Sequence, residues 1–326
     1  MQPQNVLEIF LHIHIGLKRL KTIKGHLTKV DAFSDLEVER KKVCVIGAGP
    51  AGIVSTRHFN KYHDVDTFEG RDNIGGIWNF SKISELTHPD LENDEYYKLY
   101  GHLNPSIYNK MTTNLPKYLM TLKDYPHPDD TPIMMQPDEY QKYLKAYIRD
   151  FKIAKLIQLN TLVTHVKQLR NCHPATLKNL SEDQLSRKFL VTTKHTLTRE
   201  EKTETYDHIV CCNGRNSKKF IPDFGGKEDW DGQQLHMHEF REIDKESYED
   251  KVVMVVGSSI SACDYVFHLL MSPWKSNASK CYMTGTSMDY IKKTDDFRNL
   301  IDSGKLEFCD SNIKEFKKGK FFEYLL

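Results

Sequence analysis

The sequence lacks the features of several large protein classes. No stretch approaches the ~20 apolar residues that a membrane-spanning helix needs, so we expect no integral membrane span. The 46 basic and 45 acidic residues leave a formal net charge of +1, which gives no electrostatic reason to expect nucleic acid as a partner. None of the seven cysteines belongs to a CxxC pair. The odd count favours reduced, mostly buried thiols in a cytoplasmic protein.

Residues 1–40 fit nothing that follows them. The apolar stretch within residues 1–16 is interrupted by Glu8, His12 and His14, and the basic residues come after it. A secretory signal has the opposite order, so we expect no signal peptide. We interpret this segment as a poorly ordered extension, with a basic amphipathic or transit-like segment as the alternative. The expected location is the cytoplasm, with peripheral attachment to the endoplasmic reticulum as the alternative.

A glycine-rich turn follows the first predicted strand. The apolar run 43–46 precedes it, and a helix over about 51–62 and a strand over 65–68 follow. This order is typical of the opening of a doubly wound parallel sheet that binds a dinucleotide. The turn consists of Gly47, Ala48, Gly49, Pro50, Ala51 and Gly52.

Each glycine of this turn has its own predicted role. Gly47 allows the tight turn, Gly49 lets the backbone approach a pyrophosphate, and Gly52 lets the helix pack closely on the strand. The amides at the helix start then face the phosphates, and the helix dipole favours the negative charge. Glu69 stands about 22 residues after Gly47, where a carboxylate binds a ribose diol. These residues together predict an adenosine-diphosphate site.

The residues after Glu69 indicate which dinucleotide this site binds. The segment 71–78 contains the paired glycines Gly75 and Gly76, which resemble the second fingerprint of the two-dinucleotide flavoproteins. Dehydrogenases that bind NAD alone have no need of this pair, so FAD is favoured. The thiol–disulfide reductases of the same class place a cysteine pair soon afterwards. No cysteine occurs between Cys44 and Cys172, which excludes that chemistry.

The middle of the chain predicts loops, one clear helix and several strands. Residues 72–137 are rich in aromatic and turn residues, so we expect irregular loops with short helices. Residues 138–151 predict a helix capped by Asp138, with a tyrosine stripe that we assign to the core. Strand-like segments follow at 156–169, 188–193, 204–206 and 209–212.

A second strand–turn–helix begins at residue 252. The strand 252–256 leads into a turn that resembles GxGxxA, with Ser259 in place of the middle glycine, and then into a helix over 263–271. On its own this turn leaves two readings open, a second dinucleotide site or an ordinary strand–helix connection. The residues concerned are Gly257, Ser258, Ser259, Ser261 and Ala262.

The segment before this strand carries a family resemblance. Residues 230–241 resemble the FxGxxxHxxxY signature of flavin-containing monooxygenases, with Trp230 for the first aromatic residue, His236 for the histidine and Phe240 for the tyrosine. Baeyer–Villiger monooxygenases have a related signature that closes on tryptophan, so Phe240 followed by Arg241 favours the branch that oxygenates nitrogen and sulfur. The resemblance extends over about 43–306, and the 257–264 turn is similar to that of bacterial trimethylamine monooxygenases.

The resemblance implies an α/β fold with two Rossmann-like dinucleotide-binding domains, the second inserted in the first. We expect the extension at 1–40, the first segment of the FAD domain at 41–215 and an NADP domain at 216–326. Residues 113–117 match the family's active-site asparagine motif, which makes Asn114 the predicted catalytic residue. The resemblance adds these cofactor-binding residues to the two turns and Glu69: Gly76, Ile77, Trp78, Thr113, Asn114 and Val163.

The implied mechanism uses FAD and NADPH and asks little acid–base work of the protein. NAD(P)H reduces the FAD, O₂ forms a C4a-hydroperoxyflavin, and this species oxygenates an amine or a thioether. We expect no metal site, because the pair His236 and His238 lacks further ligands at zinc-like spacing. The partners we expect are small-molecule substrates and O₂, with a homodimer as the candidate assembly. A Baeyer–Villiger-type or other two-dinucleotide oxidoreductase is the further alternative.

Two departures from the family stand out. The family supplies an arginine after the second strand of the nucleotide domain, where we place Met283, so preference for NADPH over NADH is in doubt. Lys292 or Lys293 could compensate as point charges. The segment 312–326 lacks the ATGY-type motif with which the family completes its FAD domain. The alternative function is therefore a truncated, inactive flavin-binding remnant that acts as an interaction protein.

Overall fold

The structure, a computed structural model, describes residues 39–80, 106–215, 220–221, 232–243, 245–271, 275–285, 289–309 and 323–325. The described residues from 41 onward belong to one compact unit. Most of the expected N-terminal extension, Trp230 of the signature and most of segment 312–326 lie outside the described residues.

The described residues form twelve strands and seven α-helices. The strands are β1 Lys42–Ile46, β2 Asp64–Phe68, β3 Ile157–Gln158, β4 Thr161–Gln168, β5 Phe189–His195, β6 Glu201–Tyr206, β7 His208–Cys211, β8 Gln233–Leu235, β9 Val252–Val256, β10 Lys280–Thr284, β11 Leu306–Phe308 and β12 Glu323–Leu325. The helices are α1 Pro50–Phe59, α2 Pro137–Asp150, α3 Pro174–Leu177, α4 Glu182–Ser186, α5 Ile260–Leu270, α6 Asp289–Lys292 and α7 Asp295–Asp302. Short 3₁₀ turns cover Gly76–Trp78, Lys117–Leu119, Ala154–Leu156 and Leu169–Asn171.

A parallel sheet in the order β3-β2-β1-β7 carries the first glycine turn. Val43, Cys44 and Val45 at the centre of β1 are fully buried, as expected for a parallel strand covered on both faces. α1 makes the crossover from β1 to β2, which lie side by side. The predicted strand, turn, helix and strand are therefore confirmed.

A separate antiparallel sheet, in the order β4-β5-β6, packs on the first sheet. Val191 and Tyr206 from this sheet form one buried apolar cluster with Cys44 and Phe68 of β1 and β2. A hydrogen bond also joins the two sheets where β4 begins and β2 ends: the amide of Thr161 donates to the carbonyl of Glu69 at 2.8 Å.

α2 packs its tyrosine stripe into the apolar core beside α1 and the first glycine turn, which together with the first parallel sheet form the first Rossmann-like unit. Tyr140, Tyr143, Leu144 and Tyr147 are each less than 5% exposed, so the assignment of the stripe to the core is confirmed. Fully burying a leucine side chain of this kind contributes about 1.5–3 kcal/mol. The expected cap at Asp138 is wrong: Gln136 is the N-cap residue and forms a reciprocal capping box with the third helical residue. The helix starts earlier because Pro137 suits the first helical position.

A second parallel sheet, in the order β11-β10-β9-β12-β8, carries the second turn. Val253, Met254 and Val255 of β9 are buried, and α5 joins β9 to β10. The fold is thus α/β with two Rossmann-like units, as predicted, whereas the domain boundaries stay a prediction. α5 begins at Ile260, three residues before the expected start. Over the part of the chain that the structure describes, no helix combines the length and the apolar character needed to cross a bilayer.

The cysteines are free thiols, but most of them are not buried. Cys44 and Cys281 are buried in the strands β1 and β10, whereas Cys211 is exposed and the other four are half-buried. The expectation of mostly buried thiols is therefore wrong, because Cys211 lies at the last position of its strand, where the sheet ends. Burial raises the pKa of the Cys44 thiol to about 12.

Candidate functional site: two glycine turns at the ends of parallel strands

The first turn needs two of its glycines for reasons of packing alone. Gly47 has φ = +97°, and its amide donates to the carbonyl of Phe68 at 2.7 Å. A Cβ on Gly47 would lie 2.6 Å from the carbonyl oxygen of Cys212, and a Cβ on Gly52 would lie 1.8 Å from that of Gly47. Any side chain at these two positions would break the contact between α1 and the sheet.

Gly49 differs, because the protein itself does not require a glycine there. It is the N-cap residue of α1 in an extended conformation (φ = −71°, ψ = −178°) that any residue adopts. A Cβ on Gly49 would meet only Gly76, with its nearest contact at 3.6 Å, an ordinary van der Waals distance. Pro50 follows at the first helical position, where its missing amide costs nothing, and Ala51 is exposed. A pyrophosphate that approaches the backbone would account for the glycine, so the residues present fit a dinucleotide.

Glu69 follows β2 and is 7% exposed. Its Oε2 accepts from the amide of Ala48 at 2.8 Å and its Oε1 from the amide of Arg71 at 3.0 Å. Burial raises the pKa of Glu69, and these backbone hydrogen bonds oppose that shift. A carboxylate accepts about four hydrogen bonds, so the side chain can accept from a ribose hydroxyl beside these backbone amides. The guanidinium of Arg71 donates to the carbonyls of Gly76 (3.3 Å) and Asn79 (2.8 Å), which ties the next loop to Glu69.

The paired glycines lie directly against the first turn. The amide of Gly75 donates to the carbonyl of Ala48 at 2.8 Å. Gly75 and Gly76 both have positive φ, and a Cβ on Gly76 would lie 3.1 Å from the Cα of Gly49. Ile77 is about half exposed beside them. The structure therefore brings together the two sequence fingerprints that predicted FAD.

Helix α2 supports the loop that carries Gly75 and Gly76. The Nε2 of Gln141 donates to the carbonyl of Ile74 at 2.6 Å, and a Cβ on Gly75 would lie 1.9 Å from the Oε1 of Gln141. The ring of Trp78 contacts that of Tyr140 edge-on, with centroids 4.9 Å apart. The sequence reasoning missed Gln141. Its only signal was a polar residue at a buried position of the tyrosine stripe.

Asn114 is exposed on a loop that is joined to the same cluster. The amide of Thr113 donates to the carbonyl of Met135 at 2.8 Å, and its Oγ1 accepts from the amide of Met135 at 3.0 Å. That hydroxyl also donates to the carbonyl of Leu115 at 2.8 Å. Met135 is fully buried in one cluster with Ile74. Thr113 is thus fixed, and Asn114 follows it at the surface; its contact with a cofactor stays a prediction.

Lys117 stabilises the loop that carries Thr113 and Asn114. Its ammonium donates to the carbonyls of Pro128 (3.2 Å), Asp129 (3.0 Å) and Thr131 (2.6 Å), which uses all three donors. Its amide donates to the carbonyl of Ile133 at 2.7 Å. Lys117 is 6% exposed, so these bonds offset the cost of burying the charge. The sequence places Lys117 at the end of the asparagine motif but predicts no role for it.

The second turn repeats the geometry of the first. The amide of Gly257 donates to the carbonyl of Thr284 at 2.7 Å, and Gly257 has φ = +138°. Ser258 is half-buried, Ser261 is exposed, and Ala262 is 7% exposed against the core. The residues predicted for a second nucleotide therefore lie together at the end of β9.

Ser259 occupies the place that Gly49 holds in the first turn. It is the N-cap residue of α5 with φ = −85° and ψ = 178°, nearly the same backbone conformation as Gly49. Its exposed side chain causes no strain in the turn. Asp264 lies one turn into the same helix, and burial raises its pKa to about 6.

The expectation that Met283 stands at the phosphate-reading position is wrong. Met283 is fully buried in the core of the second unit, where its side chain packs on the apolar cluster. The sequence pattern placed the right strand but not its end, because β10 runs on to Thr284. The first residue after the strand is Gly285.

The signature segment fastens an upstream loop to the second unit. The ring of Phe240 lies 5.1 Å from that of Tyr108 and 5.0 Å from that of Tyr265. Phe240 is 2% exposed. An aromatic residue at this position is therefore explained by packing.

Arg241 and the two histidines are also engaged within this segment. The guanidinium of Arg241 donates to the carbonyls of His238 and Phe240, both at 2.8 Å, and its carbonyl accepts from the amide of Asn109 at 2.6 Å. The Nδ1 of His236 accepts from the amide of His238 at 3.0 Å. Within the described ranges, no group of three or more His, Cys, Asp or Glu side chains is arranged to hold a metal ion.

Val163 lies on β4, in the antiparallel sheet. It pairs with Thr193, next to an irregularity of the strand register, and packs partly buried against the cluster that joins the two sheets. It follows Thr161, whose amide binds the carbonyl of Glu69. The assignment of Val163 to the cofactor stays a prediction.

Known proteins with similar sequences are monooxygenases. Senecionine N-oxygenase from Tyria jacobaeae is 30% identical over 230 residues, which cover 70% of this chain and 44% of the relative. Flavin-containing monooxygenase 3 from Oryctolagus cuniculus is 29% identical, over 70% of this chain and 38% of the relative. The chain thus spans less than half the length of these relatives.

Solved structures show the same fold. S-allyl-L-cysteine S-oxygenase from Allium sativum superposes with a TM-score of 0.61 at 22% identity, covering 89% of this chain and 56% of that one. Tmm from Pelagibacter superposes with a TM-score of 0.65 at 23% identity, covering 87% and 60%. The family model described as flavin-binding monooxygenase-like matches residues 40–291. This match covers both glycine turns and most of the chain, and the chain therefore belongs to the flavin-binding monooxygenase-like family.

Proposed function

We propose that this protein is a flavin-dependent monooxygenase that takes electrons from a nicotinamide nucleotide and oxygenates a nitrogen or sulfur nucleophile. The observation that carries the proposal is the direct contact between the first turn and the paired glycines. Gly49 and Gly76 approach each other with no side chain between them and no packing reason for a glycine at 49. Exposed backbone without side chains, next to a buried Glu69, suits the pyrophosphate and ribose of FAD.

The first unit would hold FAD through residues that the two fingerprints predict. The amides at the start of α1 would face the pyrophosphate, since the first turn of a helix has no internal acceptors for them. Glu69 would bind the ribose. The loop Gly76–Trp78 would pass close to the rest of the cofactor, and Thr113, Asn114 and Val163 complete the predicted set.

The second unit would hold the nicotinamide nucleotide. Gly257, Ser258 and Ser259 form the turn, and Ser261 and Ala262 lie in the first helical turn of α5. Ser259 adds a hydroxyl that can donate a hydrogen bond to a phosphate oxygen. NADPH is the nucleotide that the family resemblance implies.

Bound FAD would supply the redox chemistry, accepting a hydride and activating dioxygen. In the overall reaction, the substrate, O₂, NADPH and a proton give the oxygenated substrate, water and NADP⁺. The amide of Asn114 can both donate and accept hydrogen bonds without a change of protonation state, so it would orient the reacting groups. Thr113 and Lys117 would keep that amide in place through their hydrogen bonds.

The relatives support the class of substrate. One is named as an N-oxygenase and another as an S-oxygenase, and both atoms are soft nucleophiles that attack an electrophilic oxygen. We therefore propose amines and thioethers as substrates. The cytoplasmic location and the homodimer expected from the sequence stay predictions.

The test combines flavin binding with turnover. The purified chain is loaded with FAD, reduced without oxygen by NADPH or NADH, and then exposed to oxygen with a tertiary amine or a thioether. We expect bleaching of the flavin absorbance followed by an N-oxide or sulfoxide. A flavin-loaded protein that is reduced but gives only hydrogen peroxide would support the inactive-remnant alternative. A protein that binds no FAD would contradict the proposal outright.

A further inference from the structure

The first turn places a carboxylate next to its glycines in a defined way. The hydrogen bond from Gly47 to Phe68 fixes the end of β2, and Glu69 is the next residue. The residue after the first glycine is Ala48, which is fully buried, and its amide donates to the Oε2 of Glu69 at 2.8 Å. A small residue at position 48 thus leaves room for the Glu69 side chain.

The second turn has the same register, but here the residue after the strand is the glycine and the residue after the first glycine carries the larger side chain. The hydrogen bond from Gly257 to Thr284 fixes the end of β10, and Gly285 is the next residue. Gly285 therefore holds the place that Glu69 holds in the first turn. The residue after the first glycine is Ser258, which corresponds to Ala48.

Ser258 fills the space that a side chain at 285 would need. A Cβ on Gly285 would lie 2.6 Å from both the Cβ and the Oγ of Ser258, and 2.9 Å from its amide nitrogen. Real Cβ atoms do not approach other atoms so closely. The serine at 258 and the glycine at 285 are therefore a matched pair, just as Ala48 and Glu69 are.

This position decides which ribose a Rossmann turn accepts. A carboxylate there bonds the 2′-hydroxyl and repels a 2′-phosphate, whereas an arginine nearby accommodates the phosphate. The second turn presents a hydroxyl in place of a carboxylate. The residues 285–288, Gly-Thr-Ser-Met, carry neither an acidic nor a basic side chain. Of the two lysines that could supply a charge instead, Lys292 has its ammonium over the ring of Phe308, 5.3 Å from the ring centroid.

We infer that the Ser258–Gly285 pair makes the second turn indifferent to the 2′-phosphate, so that NADH and NADPH bind with similar affinity. The inference rests on the proposed binding of a nicotinamide nucleotide at this turn. It concerns only which of the two nucleotides the turn prefers.

Equilibrium binding tests the pair without turnover. The full chain is incubated with excess FAD, and the dissociation constants of NADH and NADPH are measured by calorimetry. We expect the two constants to agree within about tenfold. A preference of more than about a hundredfold for either nucleotide would overturn the inference. A chain that binds FAD but neither nicotinamide nucleotide would overturn the assignment of the second turn itself.

A double variant then checks that position 285 faces the ribose. S258G removes the two side-chain contacts at 2.6 Å and leaves the 2.9 Å approach to the amide nitrogen of residue 258, and G285D supplies a carboxylate at the place of Glu69. In the double variant we expect NADPH binding to weaken at least tenfold relative to NADH, because the carboxylate repels the 2′-phosphate. S258G alone is the reference, so that the effect of the carboxylate is the change in the ratio between S258G and the double variant. If the double variant unfolds at the same temperature as the control but keeps the wild-type ratio, position 285 does not contact the ribose and the inference fails.

Discussion

Replacing Gly49 by alanine separates flavin binding from folding. The extended backbone of Gly49 suits alanine, and the new Cβ would touch only Gly76, at an ordinary 3.6 Å. The methyl group would, however, occupy the space into which we place the pyrophosphate. We therefore expect Gly49→Ala to fold normally and to lose FAD.

The expected free-energy changes separate the effect of Gly49→Ala on folding from its effect on FAD binding. Alanine is a poorer N-cap residue than glycine by about 1 kcal/mol, and it lowers the entropy of the unfolded chain by an amount that contributes about 0.4–1 kcal/mol in the other direction. The two effects nearly cancel, so the melting temperature should move by no more than a few degrees. A methyl group in the pyrophosphate path should weaken FAD binding at least a hundredfold, about 2.7 kcal/mol.

Gly52→Ala is the matched control with the opposite expectation. Its Cβ would lie 1.8 Å from the carbonyl oxygen of Gly47, so the helix must move away from the sheet at a cost of about 3 kcal/mol or more. The assay measures melting by circular dichroism and FAD content by visible absorbance for both variants. Stoichiometric FAD on Gly49→Ala would refute the assignment of this turn to the pyrophosphate.

Three further predictions concern single residues. Asn114→Ala should still bind FAD and allow its reduction, but it should divert electrons to hydrogen peroxide, which is measured as product formed per NADPH consumed. If its coupling equals that of the exposed control Asn109→Ala, Asn114 only forms a turn. The pKa of Asp264 rises from 3.8 to about 6 on folding, so its ionisation opposes folding above pH 6 and not below pH 3.8. Asp264→Asn should therefore stabilise the protein by about 1–2 kcal/mol at about pH 8 after solvent screening and by nearly nothing at about pH 4; equal effects on chemical denaturation at both pH values would contradict this. Lys117→Met should cost about 2–3 kcal/mol, because three carbonyls lose their donor, whereas the exposed Lys123→Met should cost nearly nothing; equal melting temperatures would show that the ammonium does not hold the loop.

The sequence predicted the parts of the fold that depend on local patterns. Short apolar runs that each end at a glycine identified β1 and β9, and the spacing of the tyrosines identified α2. Glycine positions identified both turns, since Gly47 and Gly257 have positive φ angles that few other residues adopt. Glu69 followed from its place at the end of the next strand.

The contacts that support the site could not be predicted in this way. Gln141 binds Ile74, which lies 67 residues earlier in the chain, and nothing local to either residue indicates the other. A lysine such as Lys117 is expected at the surface from the sequence, and only its contacts with the loop 128–131 in the fold explain why it is buried. Met283 was misplaced because a strand pattern gives the strand but leaves its last residue uncertain by one or two positions.

The most direct test of the proposed monooxygenase activity is turnover of the FAD-loaded chain with isotopically labelled dioxygen. NADPH is the reductant and a thioether or a tertiary amine is the substrate, and the product is analysed by mass spectrometry. A monooxygenase places one oxygen atom of the dioxygen in the product, so we expect a sulfoxide or N-oxide that carries a single labelled oxygen. An unlabelled product, or NADPH oxidation that yields hydrogen peroxide alone, would contradict it.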